Sequence, residues 1–102
     1  MPEGQASIST DILARYAADA AREVLGVRGL SESPIPGRRG GVRVSGEEPG
    51  IRVELHLSVD WGAAIPDVGR EVQARVREYL QRMADVAPAA VDVVVEEVGP
   101  RP

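Results

Sequence analysis

A two-layer α+β sandwich, two helices on one face of a small and mostly antiparallel sheet in the order α-β-β-β-α-β, is the fold this sequence predicts. Three observations predict it. Two segments carry apolar residues at three- and four-residue steps, the period of a helix with one buried side. Between them, residues 51–61 alternate without a break, with Ile51, Val53, Leu55, Leu57, Val59 and Trp61 separated by Arg52, Glu54, His56, Ser58 and Asp60. Such alternation buries one face of a sheet and wets the other, so both helices are expected on the same side.

The first helix is expected over residues 10–25. Ser9 stands as its N-cap, able to accept from an orphan backbone N–H, with Ile8 and Leu13 placed for a hydrophobic staple. Asp11 suits the positive helix start. Ile12, Leu13, Tyr16, Ala17, Ala20, Ala21 and Val24 form its apolar stripe, and Gly26 supplies a left-handed stop. Val27–Leu30 reads as a short strand. Pro34 and Pro36 then deny regular structure, so residues 31–41 read as a loop. Val42–Ser45 is a second short strand, followed by a polar turn through Gly46 and Gly50 and the long alternating strand.

Pro66 and Asp67 open the second helix, and Val68, Val72, Val76, Tyr79, Leu80 and Met83 form its stripe. Glu71 with Arg75, and Glu78 with Arg82, are i,i+4 pairs on a solvated outer face, worth ~0.3–0.5 kcal/mol each. Val91–Glu96 closes the fold as a last strand. Because it returns after a helix, it is expected beside a strand that it does not follow in sequence. A single domain over 8–98 is expected, with flexible ends at 1–7 and 99–102.

Composition narrows the chemistry. The chain has 102 residues, 12 basic and 16 acidic side chains, a net charge of −4 and no cysteine. Disulfides, thiolate metal sites and cysteine nucleophiles are thereby excluded. Every basic residue is arginine, which removes mechanisms that need a lysine. The acidic balance opposes DNA binding, and three aromatics make no base-stacking series. No apolar run approaches the ~18 residues of a membrane span, and the N-terminus lacks the pattern of a secretory signal.

His56 is the one histidine, expected to be solvated on the polar face of the long strand. Glu54, His56 and Ser58 share that face but rise ~6.6 Å apart, as neighbours in a row rather than a nucleophile aimed at a base. One histidine without cysteine is too little for zinc, so neither metal nor cofactor is expected. Glu47-Glu48 and Glu96-Glu97 read as solubilising acids, the latter pair pointing to opposite faces of the last strand. Arg38-Arg39, between Gly37 and Gly40, is a candidate anion or partner loop, though no helix start follows the glycines. The candidate interaction surface is the row Arg52, Glu54, His56, Ser58 and Asp60, on the sheet face the helices leave bare.

The ordered set of motifs is similar to the alkaline shock protein family, small bacterial proteins of the envelope stress response. The resemblance covers residues 8–98. It runs from Ile8-Ser9 through the alanine-rich helix to Val24-Leu25-Gly26-Val27 and Gly41-Val42-Arg43-Val44. It continues through Val59-Asp60-Trp61-Gly62, Ile65-Pro66 and Val72-Gln73 to Met83, and ends in Val91–Val98. Members often carry tyrosine at the position of Trp61, and Thr-Gly where this chain has Ala84-Asp85. The resemblance implies a non-enzymatic, cytoplasmic protein of cell-envelope homeostasis that works through protein contacts. It also implies recruitment to the membrane by a small membrane-anchored relative, and self-assembly in some members. Two alternatives are weighed against it: a small RNA-binding module using Arg38-Arg39, and an enzyme using His56 with neighbouring acids.

Overall fold

The computed structural model describes residues 8–31 and 40–100. Its elements are α1 (Thr10–Arg22), β1 (Val27–Leu30), β2 (Val42–Ser45), β3 (Arg52–Val59), α2 (Ile65–Ala84) and β4 (Ala90–Val98), the expected order α-β-β-β-α-β. Ser9 caps α1 as expected, its Oγ accepting from the Ile12 N–H at 3.3 Å. The helix ends three residues short of the expected stop. The N–H groups of Glu23 and Val24 turn to the carbonyls three residues back, Ala20 and Ala21, and this tightening closes the helix before Gly26 takes its positive φ of 98°.

β3 is the spine of the sheet. β4 pairs with its whole length, Arg52↔Ala90 through Val59↔Val98, so β1 and β2 must share the other side. They lie end to end there, β1 against residues 57–59 and β2 against residues 52–55, both antiparallel. The backbone of His56 bridges the gap: its carbonyl accepts from the Ser31 N–H and its N–H donates to the Gly41 carbonyl, each at 2.8 Å. β1 and β2 thus lie along one edge of the sheet and meet at His56.

β4 corrects one expectation. It lies beside β3, the strand directly before it in the sequence, and runs parallel to it. Lengths explain this. The 20 residues of α2 span ~30 Å and the 8 residues of β3 ~26 Å, so the helix carries the chain back to the end where β3 began. Two of the three pairings remain antiparallel.

Both helices cover the face of the sheet that carries Val53, Leu55, Leu57 and Val59, all fully buried. α1 contributes Ala14, Ala17, Ala18, Ala20 and Ala21, whose small side chains let it lie close to the sheet and to α2. α2 contributes Val68, Val72, Val76 and Leu80 at four-residue steps. Tyr16 meets Tyr79 edge to face, 5.7 Å between ring centres, and pins the two helices together. Ile12 and Met83 were expected in the stripes but are about half exposed, because each lies one turn beyond that ring contact. Of the two expected ion pairs on α2, Arg75–Glu71 forms at 3.0 Å, whereas Arg82 lies over the Tyr79 ring instead. Gln73 donates to the Val91 carbonyl and Arg77 to that of Pro88, tying α2 to β4 and its lead-in.

Asp85 ends α2 in a left-handed conformation, φ 56° and ψ 37°. An L-residue pays ~1–2 kcal/mol there. Glycine relieves that strain and gives part of it back as unfolded-chain entropy. Asp85→Gly is therefore expected to raise stability by about 0.5–1 kcal/mol, read as a rise in the thermal midpoint of about 4 °C.

Candidate interaction surface

The face opposite the helices carries the alternate residues of β3. Arg52 and Asp60 are exposed, Glu54 and Ser58 are half-buried, and the row adjoins Arg43 and Ser45 of β2. On the other flank the register sets Asp92 beside Glu54, Val94 beside His56 and Glu97 beside Ser58. Arg52 reaches across to Asp92 at 3.6 Å, with both side chains more than half exposed, so this pair contributes little.

His56 departs from the expectation of a solvated ring. It is only 8% exposed. Glu54 Oε2 stands 2.6 Å from Nε2, and Glu96 Oε2 lies 3.0 Å from Nδ1, off the axis for a linear hydrogen bond but within ion-pair distance. Residues two apart on a strand, expected merely to stand in a row, are joined here because the glutamate chain is long enough to fold along the face. Glu96 arrives through a β-bulge: Leu57 pairs with Val95 but Ser58 pairs with Glu97, leaving Glu96 as the extra residue. The bulge shifts the strand's phase, so Glu96 and Glu97 both serve the open side rather than opposite faces.

The cluster's chemistry is that of a clamp. Both ring nitrogens face carboxylates, so the imidazole presents no free lone pair to a substrate. A neutral ring has one N–H for two acids, and the imidazolium has one for each. Among the described residues, no group of three or more His, Cys, Asp or Glu side chains is arranged to hold a metal ion. His56→Ala is expected to destabilise the fold by about 1–2 kcal/mol, discounted for the partial exposure of both acids, as measured by urea unfolding.

The contribution of β4 to this surface escapes sequence reasoning. Asp92, Val94 and Glu96 reach the face only through the parallel pairing, and the sole local signal is a pair of acids breaking a valine run. Arg38 and Arg39 lie outside the described residues. The Asp60 end of the row borders an apolar patch. The Asp60 N–H donates to the Gly26 carbonyl, so the chain next to Leu25, 94% exposed, meets the chain next to Trp61, 51% exposed, and Ile65, 40% exposed, opens α2 four residues on. Among the described residues, no helix is long and apolar enough to cross a membrane.

Comparison with known proteins places this architecture. The uncharacterised protein Spy1614 of Streptococcus pyogenes serotype M6 is 26% identical over 94% of this chain and 88% of its own length. Among solved structures, a variant of the MamM CTD superposes with a TM-score of 0.65 at 18% identity, covering 92% of this chain and 85% of that one. The MamM CTD fragment 215–293 superposes with a TM-score of 0.57 at 17% identity, covering 87% of this chain and 99% of the other. Identities this low speak for a shared fold alone. Residues 1–100 match a family model, and the chain belongs to the family it describes, the alkaline shock protein 23 family, of cell envelope-related function.

Proposed function

We propose that this protein is a non-enzymatic adaptor or scaffold of cell-envelope homeostasis. It acts on the cytoplasmic side and is brought to the membrane by a small membrane-anchored relative. The observation that carries this reading is the sheet itself: both helices pack on one face, and the other presents Arg52, Glu54, Ser58 and Asp60 around a clamped His56. Charges of both signs on a rigid, flat surface suit recognition of another protein. The apolar patch of Leu25, Trp61 and Ile65 at the Asp60 end adds the kind of anchor that dominates interface energetics.

Size sets the extent of the contact. Three strand widths by the length of β3 give a face of about 14 by 26 Å, or ~370 Å². A standard interface buries ~800 Å² per partner. The docking surface therefore extends past the polar row, onto the apolar patch or along a sheet edge.

The test is affinity capture of the tagged protein from detergent-solubilised cells, comparing wild type with the double reversal Arg52→Glu/Asp60→Arg. Wild type is expected to recover a small membrane protein in stoichiometric amount. The double variant, with its circular dichroism and thermal midpoint unchanged, is expected to bind it at least ~10-fold more weakly, equivalent to ~1.4 kcal/mol. Unchanged recovery sinks the sheet-face reading. Recovery of RNA alone, falling steeply with salt, replaces it with an RNA-binding one.

A further inference from the structure

The two edges of the sheet differ in kind. One consists of β1 and β2, four residues each and meeting at His56. The other is β4, nine continuous residues without proline, Ala90–Val98. Among the described residues β4 pairs with β3 only; on its outer side Gln73 of α2 takes the Val91 carbonyl, and beyond that point alternate N–H and C=O groups face away from the sheet. Proteins blunt such edges with charge, prolines or bulges. β4 has the bulge at Glu96 and three acids, Asp92, Glu96 and Glu97, but no basic residue.

Those acids select what can pair there. Two copies of β4 side by side bring three carboxylates each, six in all, to one seam, where the exposed Arg52–Asp92 pair offsets only part of the charge, and like charges across a strand pair repel. The same row attracts an extended segment with arginine or lysine at every second position, all on the open face, where the alkyl stem of one would rest on Val94. Strand addition of this type draws its affinity from main-chain hydrogen bonds and its selectivity from alternate side chains. It also supplies interface area that the open face lacks. We infer that β4 is the acceptor edge for a basic, extended segment of the partner protein, an inference that rests on the adaptor reading above.

The test follows the amide NMR spectrum of the isotope-labelled full chain during titration with three short acetylated peptides. One alternates valine with lysine, one alternates valine with glutamate, and the third is the lysine peptide with its central valine replaced by proline. The lysine peptide is expected to shift amides concentrated in residues 90–98. The other two should bind at least ~10-fold more weakly, since one is repelled and the other lacks a main-chain donor. In the variant Asp92→Lys/Glu97→Lys, preference is expected to pass to the glutamate peptide. Equal binding of the proline peptide, shifts away from β4, or an unreversed preference in the variant overturns the inference.

Capture separates the two levels of the argument. A partner that Arg52→Glu/Asp60→Arg releases but that Asp92→Lys/Glu97→Lys retains at full strength removes the edge and leaves the adaptor. A wild-type capture with no partner that the first variant releases removes the adaptor reading, whatever the peptides do.

Discussion

Replacing Gly41 with alanine is expected to cost about 2–5 kcal/mol, enough to unfold a large part of the population of a marginally stable domain. Gly41 has a φ of +81°, a conformation that costs an L-residue ~1–2 kcal/mol. The added methyl would also sit 2.6 Å from the Ser31 carbonyl oxygen and 2.9 Å from that of His56. Neither oxygen can retreat cheaply. The His56 carbonyl is bonded to the Ser31 N–H, and the Gly41 carbonyl holds the His56 N–H, so a shift breaks the seam between β1 and β2. Overpacking of this kind adds ~1–3 kcal/mol. Gly40 is the built-in control. Its φ is +53°, but a Cβ there meets nothing within 4 Å, so Gly40→Ala should cost only the conformational part, ~1 kcal/mol. Urea unfolding of the two variants checks both figures, and equal midpoints would show that the contact with Ser31 and His56 is relieved at little cost.

Leu55→Ala is the second large effect, expected at about 3–5 kcal/mol. Leu55 is completely buried at the centre of β3, paired with Val42 on one side and Val93 on the other, in the core that the helices and the sheet share. Truncation there leaves a void that cannot be refilled, because its neighbours are β-branched residues fixed on strands, with few rotamers to offer. Met83→Ala removes a comparable volume from a helix end that is already 45% exposed, and should stay within ~0.5 kcal/mol. Denaturant midpoints of the pair test whether the core lies where the alternation puts it.

Much of this fold is legible in the residues themselves. The alternation of 51–61 marks the buried face of β3 as far as Val59, though Trp61, the last apolar residue of that row, lies beyond the strand and is 51% exposed. The four-residue steps of Val68, Val72, Val76 and Leu80 mark the buried face of α2. Ser9 announced its own helix. These are local signals, carried by neighbours within one or two turns. What was not legible depends on contacts between distant segments. The parallel placement of β4 follows from the length of α2 relative to β3. The burial of His56 follows from a bulge one strand away, which turns Glu96 onto the ring, and no reading of Glu54-Leu55-His56 by itself contains that residue. Ile12 and Met83 failed in the opposite sense: their spacing is right for a core stripe, but the stripe runs on after the layer that covers it has ended.

The meeting of β1 and β2 at His56 has a consequence for how such a chain can change over time. The backbone leaves the ladder at Ser31 and rejoins it at Gly41, and both departures hang on the same residue, His56. Because exit and re-entry fall on one rung, the number of residues between them sets neither the register of β2 nor the seat of α2. Doubling such a connection costs only ~0.6 kcal/mol in closure entropy. The segment is therefore a port where sequence can be gained, lost or grafted while the scaffold beneath keeps its shape, and where a reporter or a new recognition motif can be inserted without redesigning the sheet.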